Sequence, residues 1–189
     1  AMPGERTLAD LLVVADELEE RHLHQAAHLG PGGVHVLNAP CGPGGAGTWP
    51  PAAVTRLVRA ARASAGPRGH VVLDGGTGSS AVARAAAEGA DAVLIVCSPT
   101  VAAVRRARGL VVGLTAGSGA GGRCAVVLAR GPGARELGAR AVARATAAPL
   151  RGELPWSPGE AERLARGQWP PGRRGRLVAA VEDLAGGRG

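Results

Sequence analysis

The chain has no lysine, no phenylalanine and no tyrosine, and three tryptophans are its only aromatic residues in 189 positions. Without lysine, every fixed positive side chain is an arginine, and nothing can play the part of the Walker A lysine that reaches the β and γ oxygens of a nucleotide. The three cysteines, Cys41, Cys97 and Cys124, include no Cys-x-x-Cys pair. Two of them sit inside apolar runs, so they read as buried thiols of a reducing cytoplasm rather than as a disulfide frame. No apolar run approaches the ~18 residues of a spanning helix, and no signal peptide precedes the first helical pattern, so a soluble cytoplasmic protein is expected. A net charge of +7 permits weak binding to nucleic acid or anionic lipid. The arginines are scattered, however, and only the tryptophans could stack on bases, so a solvated basic surface is the reading and specific nucleic-acid recognition is not expected. Alanine, glycine, valine and arginine are abundant, which we read as the mark of a high-GC genome.

At this length one domain can bury a sizeable core. Thr7 can cap a helical region that runs to Leu29 with Leu8, Leu11, Leu12, Ala15 and Leu18 at helical spacing. Glu20, His24 and His28 fall four apart, the spacing a metal pair on one helical face would need, although a solvated polar face explains them as well. Val34–Leu37 reads as a strand. The loop Cys41–Thr48 imitates a phosphate-binding loop, since Gly42 and Gly47 have the right separation, but Thr48 follows Gly47 directly where a lysine should stand, so it does not qualify as a P-loop. A helix over Ala52–Ala63 then leads to the stretch that organises the chain. His70–Leu73 reads as a strand ending at Asp74, and Gly75-Gly76-Thr77-Gly78 turns the chain. Ser79 or Ser80 caps a helix over 81–87 that stops at Gly89. Ala92–Cys97 has the uninterrupted apolar character of a parallel strand covered on both faces. A helix from Val101 to about Leu114, a strand Cys124–Leu128, a helix around Ala134–Ala147, a short helix Glu160–Ala165 and a last helix Arg176–Ala185 follow. The sum is an α/β layered fold with a mostly parallel sheet and helices on both faces, in which His70–Leu73 and Ala92–Cys97 form a right-handed parallel crossover.

The segment Val71–Gly78, then Gly89–Thr100, then the helix with Val104, Arg105 and Arg108, resembles the middle of a MinD/ParA-type P-loop ATPase, most of all the actinobacterial branch near TadZ/CpaE pilus-localisation and septum-site-determining proteins. Pro149–Pro155 and the order of elements after it are similar to the same family. The resemblance implies an ATPase-family protein for spatial positioning, in septum placement, pilus assembly or chromosome partition, with ATP and Mg²⁺ as cofactors, a homodimer or protein partner, and peripheral membrane association through a partner. It places Asp74 near the Mg²⁺ water shell and Gly78 at the γ-phosphate. Arg130 matches the second position of the family's Asn-Arg pair, while Ala129 departs from the first, which in the family reads adenine. Without the resemblance, Asp74 reads as an ordinary strand-ending aspartate that caps a turn.

The family's Walker A segment, its helix and the next strand have no counterpart, so the expectation is a single domain over 1–189 that is incomplete at its N-terminus. Either the ATP-binding half lies elsewhere in a longer polypeptide, or the chain is a non-catalytic pseudo-ATPase interaction module that has closed its sheet in another way. In the family the absent strand is central, and its loss would leave backbone groups unpaired.

Overall fold

The computed structural model describes residues 6–30, 33–39, 49–78, 80–118, 120–132, 137–168 and 175–186. They fall into two compact units, Ala1–Ala90 and Asp91–Gly189.

The first unit is built mainly from helices. Helix α1 (Leu8–Leu12) starts at Thr7, whose hydroxyl accepts the Ala9 N–H at 3.2 Å while the Asp10 carboxylate accepts the Thr7 N–H at 2.6 Å, a reciprocal cap that satisfies two orphan donors. A 3₁₀ turn at Ala15–Glu17 and helix α2 (Glu20–Ala26) complete the helical region expected up to Leu29. Helix α3 (Pro51–Ala65) opens on proline, whose fixed φ suits the first helical position, and ends at Gly66 with φ 67°. Its Val54, Leu57 and Val58 lie buried with Leu11, Leu18, Leu23 and Trp49. Each of these aliphatic side chains contributes about 1.5–3 kcal/mol by leaving water. Helix α4 (Ala81–Gly89) starts at Ser80, whose Oγ accepts the Ala83 N–H at 3.0 Å; Ser79, the other candidate cap, lies outside the described residues. α4 buries only alanines, which lets it approach α3 closely. A Cβ placed on Gly89 would stand 3.2 Å from Val58 Cγ1, so the glycine that stops the helix also admits its neighbour.

Two expectations fail in this unit. The strand expected over Val34–Leu37 shrinks to β2 (His35–Val36), which pairs antiparallel with β1 (His28–Leu29) as a two-stranded ribbon and belongs to no strand-helix-strand unit. His70–Leu73 is not a strand, so the crossover through α4 does not form. The reason is non-local: a β-rich tetrapeptide becomes a strand only beside a partner, and among the described residues it has none.

The second unit holds a parallel sheet of three strands in sequential order, β3 (Val93–Cys97), β4 (Cys124–Ala129) and β5 (Leu150–Leu154). Between them run α5 (Val101–Ser118) and α6 (Ala139–Thr146), and α7 (Pro158–Ala165) and α8 (Arg176–Gly186) follow. The first residues of the helix expected from Ala134, 133–136, lie outside the described set. β4 is the centre of the sheet: Val126, Val127 and Leu128 are buried on both faces, as a parallel strand requires. α5 presents Val104, Ala107, Val111 and Leu114 to the core at helical spacing, and α6 adds Val142 and Thr146. Thr146 is fully buried and donates its hydroxyl hydrogen to the Val142 carbonyl at 2.9 Å, which removes the cost of an unpaired polar group. α8 packs on β5, where Leu184 lies against Gly152, so the last helix docks on the sheet as expected, although Val181 points outward. β3, expected to be covered on both faces, is covered on one. Ile95 and Cys97 are buried, whereas Leu94 and Val96, which point to the other face, are exposed, so among the described residues only one face of the strand is packed.

Candidate functional site

In the first unit, Asp74 closes a turn made by two glycines. Its Oδ1 accepts the Gly76 N–H at 2.8 Å, and Gly78 donates its N–H to the Gly75 carbonyl at 3.0 Å. Gly76 and Gly78 have φ of 57° and 73°, a region where a side chain would collide with its own backbone, so the Gly-rich sequence is what this turn needs. The turn is exposed at Asp74 and half-buried at Gly78. Asp74 and Gly78 are therefore brought together in one turn, and the turn-capping role of the aspartate is realised.

A water-mediated Mg²⁺ contact needs one or two carboxylate oxygens, the rest of the shell coming from water and phosphate. Asp74 fits that need through Oδ2, which takes no part in the turn. The phosphate side fits less well, since the chain has no lysine. The loop Cys41–Thr48, with its Gly42 to Gly47 spacing, lies outside the described residues.

In the second unit, the carboxyl ends of the parallel strands carry Ser98, Thr100, Arg130, Glu153 and Trp156, the edge at which open α/β sheets bind ligands. Arg130 follows β4 directly. Its N–H donates to the Leu154 carbonyl at 2.9 Å, and its guanidinium holds the Glu153 carboxylate through Nε and Nη2, both at 2.9 Å. Glu153 was not singled out by the sequence reading. The register explains the pairing: a shift between Val126 and Val127 sets Glu153 opposite Leu128 and Leu154 opposite Ala129, so the residue after β4 meets the acid on β5.

Glu160 is a second group without a sequence signal of its function. Its carboxylate, buried between α7 and α8, accepts the Ser157 hydroxyl and the Leu177 N–H, the latter at 3.2 Å. The Ser157 hydrogen bond lowers its pKa, burial opposes this, and the Leu177 and Val178 backbone donors and Arg163 lower it further. The pattern Ser157-x-x-Glu160 is that of a capping box, but here the glutamate side chain reaches across to the start of α8.

The other sequence candidates separate. His28 stands in β1, past the end of α2, because Ala27 at the helix end is extended. It therefore does not share a helical face with Glu20 and His24. His24 instead meets Glu20 at 3.3 Å, the Ser64 hydroxyl at 3.2 Å and the His35 ring edge-on at 6.2 Å. Among the described residues no group of three or more His, Cys, Asp or Glu is placed to hold a metal ion. Cys97 and Cys124 are buried free thiols whose pKa burial raises, with Arg123 opposing the rise at Cys124; Cys41 lies outside the described residues. No helix among the described residues is long and apolar enough to cross a membrane.

No protein-family model matches the chain, and no curated protein matches it. Among solved structures, the ParA family ATPase of Chlorobium tepidum TLS superposes with a TM-score of 0.78 at 19% identity, covering 95% of this chain and 74% of that one. The MinD cell division protein of Aquifex aeolicus aligns over 54% of this chain and 45% of its own, with a TM-score of 0.45 at 23% identity. The parallel sheet flanked by helices, together with the first of these superpositions, gives the chain an α/β fold similar to that of a ParA family ATPase.

Proposed function

We propose that the chain is a MinD/ParA-like ATPase-family protein for spatial positioning, acting in septum placement, pilus assembly or chromosome partition. In this reading Asp74 and Gly78 belong to the Mg²⁺ and γ-phosphate side of a nucleotide site, and Arg130 matches the second position of the family's Asn-Arg pair by resemblance alone. The observation that carries it is the Asp74–Gly78 turn, in which a single carboxylate keeps one oxygen outside the turn's own hydrogen bond, set in a fold of this type. A bound Mg²⁺ would supply charge neutralisation at the phosphates. Asp74 would hold a water of its shell, and Gly78, whose N–H is donated to the Gly75 carbonyl here, would stand on the phosphate side. The 189 residues by themselves should not turn over ATP, because no lysine is present to hold the transferred phosphoryl group. The partners are a second copy, clamped by nucleotide, or a protein that tethers the chain to the membrane from the cytoplasm.

A fluorescent fusion at the native locus tests the positioning role. Foci at the pole, septum or nucleoid that become diffuse in the Asp74→Ala strain support it; a uniform signal in the wild-type strain rejects it.

A non-catalytic interaction module of the same fold is the second reading. It is favoured by the absence of lysine and by Glu153, which already occupies the Arg130 guanidinium. It predicts foci that persist in the Asp74→Ala strain.

A further inference from the structure

A cleft open to solvent lies wholly within the first unit. Helix α3 lines it with Arg56, Arg59, Ala60 and Ala63, which recur at helical spacing along one stripe, and Leu18, Glu19 and Glu20, where the chain enters α2, line it from the other side. Its volume is about 330 Å³, at the lower end of the roughly 300–1,000 Å³ of small-molecule sites. Leu18 and Ala60 are buried and make an apolar floor, and the two alanines leave open the space that a longer side chain would fill. The walls carry opposite charges whose ion pairs run elsewhere. Glu19 meets Arg21 at 3.2 Å, Glu20 meets His24 at 3.3 Å and Arg56 meets Asp16 at 2.8 Å, and none of these three partners lines the cleft. The exposed Arg59 guanidinium has no ion pair or hydrogen bond among the described residues.

We propose that this cleft binds a small aliphatic amino acid, a ligand that carries a carboxylate, an ammonium and a hydrocarbon body. Arg59 takes the carboxylate, because a planar guanidinium offers it two parallel N–H donors. The hydrocarbon body covers Leu18, Ala60 and Ala63 and leaves water with them. Glu20, whose Oε2 lies outside its contact with His24, takes the ammonium, with Glu19 beside it. The same two carboxylates repel the phosphates of a nucleotide, and no aromatic ring lines the cleft for a base to stack on. A simple fatty acid satisfies Arg59 but leaves the acidic wall without a cation. The cleft shares no residue with the Asp74–Gly78 turn, so this binding is a property beyond the proposed function.

Saturation-transfer difference NMR on the full chain, with L-leucine up to ~10 mM so that a ~1 mM site is mostly occupied, tests it. The leucine methyl protons should receive saturation from the wild-type chain. Isoamylamine, which lacks the carboxylate, and isocaproate, which lacks the ammonium, should each bind at least ~10-fold more weakly, the scale of one lost charge-assisted contact. Arg59→Gln should weaken leucine binding by a similar factor, and Ala63→Leu should abolish the signal by filling the cleft. Both positions are exposed, so the far-UV circular dichroism of each variant should match the wild type. No transfer to leucine from the wild-type chain, transfer that survives either substitution undiminished, or binding of isoamylamine or isocaproate as tight as that of leucine would each overturn the proposal.

Discussion

Replacing Leu128 by alanine should remove much of the stability of the second unit. Leu128 lies in the central strand and is 0% exposed, with Cys97 as its register partner on one side and Glu153 on the other. Deleting a fully buried leucine side chain forfeits its transfer free energy and leaves a cavity, about 3–5 kcal/mol in a close-packed site. A domain of this size has roughly 5–15 kcal/mol in total, so the loss is a large fraction of what holds the sheet together. Leu94, on the same sheet but at the open edge, is the control. It is half exposed, so its truncation should cost about 1 kcal/mol or less. Urea titrations at low protein concentration, followed by circular dichroism, give both values from the shift in midpoint at constant slope. If Leu128→Ala cost no more than Leu94→Ala, β4 would not be the centre of the sheet, and the placement of β3 at its edge would fall with it.

Three further outcomes follow from local geometry. Thr7→Ala removes the hydroxyl that accepts the Ala9 N–H and should cost the first unit about 1 kcal/mol, read in the same titration. Ala147 ends α6 with φ 56°, a left-handed conformation that disfavours a Cβ, so Ala147→Gly should raise the midpoint, by roughly 0.5–1 kcal/mol. The Glu160 carboxyl has a lowered pKa in the folded chain, so its contribution is present above the unfolded carboxylate pKa and lost as pH falls through the folded value. Glu160→Gln should therefore lower the thermal midpoint at neutral pH and flatten its decline below pH ~4.3; an unchanged acid limb would mean the carboxylate does not anchor α8.

What the sequence made legible was local. Caps at Thr7 and Ser80, the proline start of α3 and the glycine stop of α4 are written in a few adjacent residues, and each stands where its chemistry puts it. The apolar runs of β3 and β4 were legible as strands too, because β-branched residues without charge have few other uses. What failed depended on partners far along the chain. His70–Leu73 has the composition of a strand, but composition does not supply a neighbour, and β3 looked doubly covered although only one of its faces is. His28 shared a helical period with His24, yet Ala27 leaves the helix between them. At the candidate site, the Asp74 turn could be read from Asp-Gly-Gly-Thr-Gly alone. The Arg130–Glu153 pair could not, since it rests on a register shift within β4 and β5.

The most direct measurement is Mg²⁺-dependent ATP turnover by the native protein, captured with its partners from its own cells, compared with the same preparation from an Asp74→Ala strain. The account predicts turnover that the substitution reduces by at least ~100-fold, the scale of removing one group that stabilises developing charge. Turnover indifferent to Asp74, or none in the wild-type preparation, would contradict it; the second result would leave the non-catalytic module as the function of the fold.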